Sequence, residues 1–205
     1  MPAPSSSYGA ASGQTGTWDQ ILATGTTSSL KNTSGTTTSV SLNLNVGTGG
    51  SIDGGLITGS GTTNTDELID SFFYATNTHN WSVTLNNLTN ATYDVYYYGP
   101  ATTNSTVHTR AFTINGTAVS DMVYNVPGAG ALDAELVQGQ DWNVLQNVVI
   151  TNGTLTLASS TTSGFGGLSG LQIVQKAAAV PEPSSVLLFG TLVLGAGLAK
   201  RLLSR

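Results

Sequence analysis

Alternation of apolar and polar residues dominates the chain. Val40, Leu42, Leu44 and Val46 are separated by Ser41, Asn43 and Asn45. A period of two sends one set to a buried face and the other to solvent, as in a half-buried strand. Trp81, Val83 and Leu85 repeat the pattern, with Ser82 and Thr84 facing outward. The same pattern predicts strands over 93–98, 111–114, 119–124, 144–151, 154–158 and 171–174. Asn115-Gly116 and Asn152-Gly153 fall between such runs and predict hairpin turns, because Asn and Gly accept positive φ. One segment leaves the period of two. Over 66–73 the pattern predicts a short helix that buries Leu68, Ile69, Phe72 and Phe73, with Asn64 as N-cap and Glu67 closing a capping box.

Eight or more short strands with a single short helix predict an all-β fold, an antiparallel jelly-roll β-sandwich. Residues 17–176 are long enough to build one solid core. Residues 1–16 are Ser/Gly/Ala/Thr-rich and are expected to be a flexible lead-in. Residues 177–185 form a linker, and 186–205 a C-terminal transmembrane helix with a basic tail.

That tail has three parts in order. Pro181-Glu182-Pro183 is a stiff polar element, since proline fixes its own φ and holds its predecessor extended. Residues 186–199 are apolar apart from Thr191, and Lys200, Arg201 and Arg205 follow. Fourteen helical residues reach about 21 Å. Counting 184–203 reaches about 30 Å, the thickness of a hydrocarbon core, if Lys200 and Arg201 snorkel to the interface. Cations flanking a span stay on the cytoplasmic side, which puts the body outside.

This arrangement resembles the PEP-CTERM sorting signal of exported bacterial proteins. The resemblance rests on Pro181, Glu182 and Pro183, the apolar run, and the Lys200–Arg201 pair. It implies processing by a transpeptidase-like membrane enzyme, an exosortase. It also implies anchoring in the inner membrane of a Gram-negative or related envelope, followed by release to the cell surface or extracellular matrix. Export requires an N-terminal leader. The opening MPAPSSSYGAASGQTG has neither a basic n-region nor an apolar h-region, so a leader is expected upstream of Met1. In the body, YDVYYYG, FTINGTAV, NVVITNGTLTLAS and GLSGLQIV resemble galactose-binding-like jelly-roll domains of cell-surface proteins. That resemblance implies a fold and no particular ligand.

Charge narrows the function further. Only 8% of the chain is charged and its net charge is −5. Lys31, Arg110 and Lys176 are the sole cations before the tail, too few for a nucleic-acid surface. With no cysteine, thiolate catalysis, disulfides and thiolate metal sites are excluded. His79 and His108 belong to no metal or catalytic motif, and the Gly-rich run 47–61 lacks a P-loop lysine. Asp66, Glu67 and Asp70 suit a helix start, and Asp133 and Glu135 sit in a loop-like stretch. No enzyme is predicted and no cofactor assigned. A structural Ca²⁺ held by loop oxygens is compatible with such folds, but no Asp-x-Asp-x-Asp run marks its ligands.

Aromatic residues are the remaining lead. Trp81 and Trp142 are expected in the core. Across 93–98, Tyr93, Val95 and Tyr97 share one face, while Asp94, Tyr96 and Tyr98 share the other. If one face is core, Tyr96 and Tyr98 are candidates to stack on a sugar. If both faces are covered, they are packing residues. The expectation is therefore an exported, non-enzymatic surface or matrix protein, with extracellular polysaccharide as a candidate partner. A carbohydrate-binding module with a defined glycan site is the alternative, and a polysaccharide-active hydrolase the third reading.

Overall fold

The computed structural model describes residues 4–47, 51–54, 68, 71–75, 80–99, 112–119, 136–159 and 166–177. Among these residues a single turn of 3-10 helix, Ala10–Ser12, precedes twelve strands. They are β1 (Gly25–Thr27), β2 (Ser41–Asn45), β3 (Ser51–Gly54), β4 (Ser71–Ala75), β5 (Trp81–Asn86) and β6 (Ala91–Tyr98). Then come β7 (Phe112–Ile114), β8 (Thr117–Ala118), β9 (Trp142–Ile150), β10 (Leu155–Ser159), β11 (Gly166–Leu168) and β12 (Gly170–Gln175). The sheets run β1-β2-β5-β10-β7-β8, β12-β6-β9 and β11-β4-β3, and neighbouring strands pair antiparallel throughout.

The alternation read from the sequence decides which face is buried. Leu44, Val83, Leu85, Leu155, Leu157 and Ile114 turn inward from the six-stranded sheet. They share one core with Val95, Tyr97, Val148 and Ile150 of the β12-β6-β9 sheet. A chain of rings links all three sheets. Phe73 of β4 meets Trp81 of β5 edge-on at 5.1 Å, Trp81 lies 5.6 Å from Phe112 of β7, and Phe112 meets Tyr97 of β6 at 4.8 Å. Trp81 is the core residue expected, yet its buried indole N–H has no hydrogen-bond partner among the described residues. An orphan of that kind costs about 1–3 kcal/mol. Burying the ring contributes about 4–6 kcal/mol, so packing wins.

Three expectations are corrected. Leu68 is helical and buried, but Phe72 and Phe73 belong to β4, where they pair with Asp53 and Ile52 of β3. Two flanking strands and the contact with Trp81 override the helical spacing. Asn115-Gly116, with φ of 48° and 78°, makes the expected hairpin between β7 and β8. Asn152-Gly153 does not make one. Strand β9 pairs with β6, and β10 pairs with β5 and β7, so this turn carries the chain from one sheet to the other. It lies against the β5–β6 crossover: the Gly153 N–H donates to Asn90 Oδ1 at 2.9 Å, and the Leu88 N–H donates to the Gly153 carbonyl at 2.9 Å. Two adjacent arches thus bond to each other. Finally, the described part of the lead-in is not loose. Residues of the Tyr8–Trp18 stretch pack against Leu68 and Tyr98 on the outer side of the β12-β6-β9 sheet. The predicted strand over 119–124 lies outside the described residues beyond Val119, as does the predicted transmembrane helix.

Candidate functional site

Strand β6 splits as its alternation requires. Tyr93, Val95 and Tyr97 are buried in the main core, and Asp94 and Tyr96 are half-buried on the other face. Tyr98 breaks the pattern by being fully buried on that other face. The N-terminal segment covers it. The Ala11 N–H donates to the Tyr98 hydroxyl at 3.1 Å, and that hydroxyl donates to Gln172 Oε1 on β12. Gln172 Nε2 in turn donates to the Gly9 carbonyl at 3.2 Å. The Trp18 indole N–H donates to the Tyr8 carbonyl at 3.0 Å, closing the segment on itself. Burial pushes the Tyr98 hydroxyl above the ordinary tyrosine range, the Ala11 and Ser12 backbone opposing it more weakly. Desolvation raises Tyr93 as well.

Tyr98 therefore offers no ring face to a sugar, and the candidate stacking role fails there for lack of access. Tyr96 is half-buried, with its ring stacked on Trp142 at 6.0 Å and 29°. Trp142, expected in the core, lies at this second cluster, and its indole N–H donates to the Leu136 carbonyl at 3.3 Å. Sequence reasoning missed the cover because Tyr8, Ala10 and Ala11 sit in a stretch whose composition reads as unstructured. Tyr8 and Trp18, two large rings with polar handles, were the available signal.

The carboxylates with described side-chain contacts hold up backbone. Asp19 Oδ2 accepts the Lys31 N–H at 2.8 Å, and Asp141, buried, accepts the Val137 N–H at 2.7 Å. Asp94 accepts the Asn147 N–H at 3.0 Å and lies 3.5 Å from Lys176 Nζ. Among the described residues no group of three or more His, Asp or Glu side chains is placed to hold a metal ion. His79, His108, Asp66, Glu67, Asp70, Asp133 and Glu135 lie outside the described residues.

The six-stranded sheet presents the contrasting surface. Not one of its strands contains an acidic or basic residue. Its outward positions align in transverse rows. Register places Asn45 beside Ser82, Ser82 beside Ala158, Ala158 beside Thr113, and Thr113 beside Ala118. One step along the strands, Thr26, Asn43, Thr84 and Thr156 form the next row. Short side chains in the first row leave a trough of about 390 Å³, open to solvent and bounded also by Asn80, Trp81, Phe112 and Ser159, where the strands end. Within the rows Asn43 Nδ2 donates to Thr26 Oγ1 at 2.8 Å. The side-chain hydroxyls of Ser82, Thr84 and Thr156 have no such bond among the described residues, so their donors and acceptors are unspent. The alternation predicted these positions as outward-facing. It did not show that five strands would line them up.

Among the described residues no helix is long and apolar enough to cross a membrane. Pro181, Glu182, Pro183, Lys200 and Arg201 all lie outside those residues. Within that stretch, residues 179–201 match the PEP-CTERM protein-sorting motif. A search of curated proteins finds no match. Several solved structures are similar at low identity. A family 35 carbohydrate binding module from Clostridium thermocellum is 12% identical, over 66% of this chain and 92% of that one, with a TM-score of 0.39. The CBM35 from Paenibacillus barcinonensis is 18% identical, over 66% and 98%, with a TM-score of 0.34. The Agl-KA catalytic domain is 12% identical over 68% of this chain but only 27% of its own, with a TM-score of 0.42. At such scores the likeness assigns neither ligand nor activity.

Proposed function

We propose that this chain, which carries a PEP-CTERM protein-sorting motif at its end, is an exported, non-enzymatic surface or matrix protein delivered by that tail. The match at 179–201 is the observation that supports the reading. Physical features of the tail agree with it. The last described strand ends at Gln175, shortly before the Pro181-Glu182-Pro183 element. A stiff, extended element at the membrane surface suits the cleft of a protease-like enzyme. The apolar run is just long enough to hold it there, and Lys200 and Arg201 retain the far end on the cytoplasmic side. An exosortase-type enzyme then removes the tail, as the apolar end of a GPI signal is removed. A non-enzymatic body fits the use of Asp19, Asp94 and Asp141 as backbone supports.

Intact-mass measurement on protein recovered from the envelope or medium of an exosortase-bearing host tests the proposal. The expected mature chain ends between 181 and 185. Recovery of surface protein that still carries Arg205 refutes processing.

A further inference from the structure

We propose that the trough on the outward face of the six-stranded sheet binds a neutral, polyhydroxylated polymer, an uncharged polysaccharide lying across the strands. This deepens the surface-protein reading and rests on it only for the compartment in which the polymer is met. Three observations select the occupant.

First, the sheet has no charge of either sign. The chain's net charge of −5 repels an acidic polymer, which finds no cation on these strands to hold it. A basic partner finds no carboxylate on them. Second, the face is polar. Asn45, Ser82, Thr113 and Thr84 offer amide and hydroxyl groups, whereas a protein interface needs an apolar centre. Leu22, Val137 and Val149, the large exposed apolar side chains among the described residues, are not part of this sheet. Third, the unspent hydroxyls of Ser82 in the trough, and of Thr84 and Thr156 in the row beside it, can each donate and accept, which suits the mixed donors and acceptors of a sugar. Ala158 and Ala118 keep the first row shallow enough for a ring to settle, and the trough of about 390 Å³ falls in the usual size range of small-molecule sites. Strand spacing of about 4.8 Å repeats these groups, so the four intervals from β2 to β8 extend over about 19 Å. That length favours a chain over a single sugar.

The test is affinity electrophoresis of the full-length chain in detergent, through gels containing a neutral glucan, a neutral galactan, a neutral mannan or a polyuronate. At least one neutral polymer is expected to retard the protein, and the polyuronate is not. Ser82→Tyr fills the trough and is expected to abolish retardation. The paired change Thr84→Val and Thr156→Val keeps the β-branched shape, removes two hydroxyls and is expected to weaken binding about tenfold. If Ser82→Tyr fails to fold by thermal melting, the valine pair decides alone. Tyr96→Ala, on the other sheet, is expected to bind as wild type. No retardation by any neutral polymer overturns the proposal. So does unchanged binding in folded Ser82→Tyr or in the folded valine pair beside the trough, or loss confined to Tyr96→Ala. Tail processing is read separately by mass, so failure here leaves the delivery reading intact, and the converse holds.

Discussion

Replacing Tyr98 by Phe tests whether the N-terminal segment is part of the folded unit. The ring is fully buried and keeps its packing, so only the hydroxyl is lost. That atom accepts the Ala11 N–H and donates to Gln172 Oε1. Each such bond contributes about 0.5–1.5 kcal/mol net, giving about 1–3 kcal/mol for the two. Undocking of the segment lets water reach Ala11 and limits the loss, so about 2 kcal/mol is expected. For a chain of this size the melting temperature falls about 2–4 °C per kcal/mol, hence by about 4–8 °C. Thermal melting followed by circular dichroism measures this, and limited proteolysis reports cleavage within 4–18. Gln172→Leu removes the partner of the same hydroxyl, so the two losses are expected to be less than additive. Val149→Ala, at a side chain 62% exposed, is the control and should change stability by no more than about 0.5 kcal/mol. A Tyr98→Phe protein that melts with wild type and protects its N-terminus equally well refutes the docking.

Two further outcomes follow from the same geometry. Burial raises the Tyr98 and Tyr93 hydroxyls above the ordinary tyrosine value, so the folded chain keeps protons that the unfolded chain releases. Stability is therefore intact below about pH 10 and lost as pH rises beyond it, and melting across alkaline pH should fall less steeply in Tyr98→Phe; equal slopes refute the assignment. At the turns, Gly153→Ala puts a Cβ 3.1 Å from the Leu88 carbonyl at φ +70°, whereas Gly116→Ala at φ +78° meets open space. Both pay the left-handed penalty of about 1–2 kcal/mol, so urea denaturation should show Gly153→Ala as the more destabilised; the reverse order contradicts the inter-sheet role of that turn.

Strands were legible wherever burial is one-sided. The polar positions Ser41, Asn43 and Asn45 against Leu42 and Leu44 predict β2 without any partner, because a pleated strand sends neighbours to opposite faces. In β6 the same rule put Tyr93, Val95 and Tyr97 on one face, and the structure buries that face in the core. It failed at Phe72 and Phe73, whose spacing fits a helix although they lie in a strand, so that only the neighbours β3 and β11 decide. It also left open which polar face would stay accessible. The face with Tyr96 and Tyr98 has the more conspicuous residues, yet a segment far away in sequence lies over it.

The sequence by itself determined the period-two body, the positive-φ turn positions and the tripartite tail, since each is set by residues close together along the chain. The tertiary structure alone decided that Asn152-Gly153 joins two sheets, that Tyr98 is sealed by Ala11 and Gln172, and that Asn45, Ser82, Ala158, Thr113 and Ala118 stand in one row. The reason is common to all three. Alternation fixes the face on which a side chain stands, but strand order and register fix what stands beside it, and those depend on contacts between residues far apart in the chain.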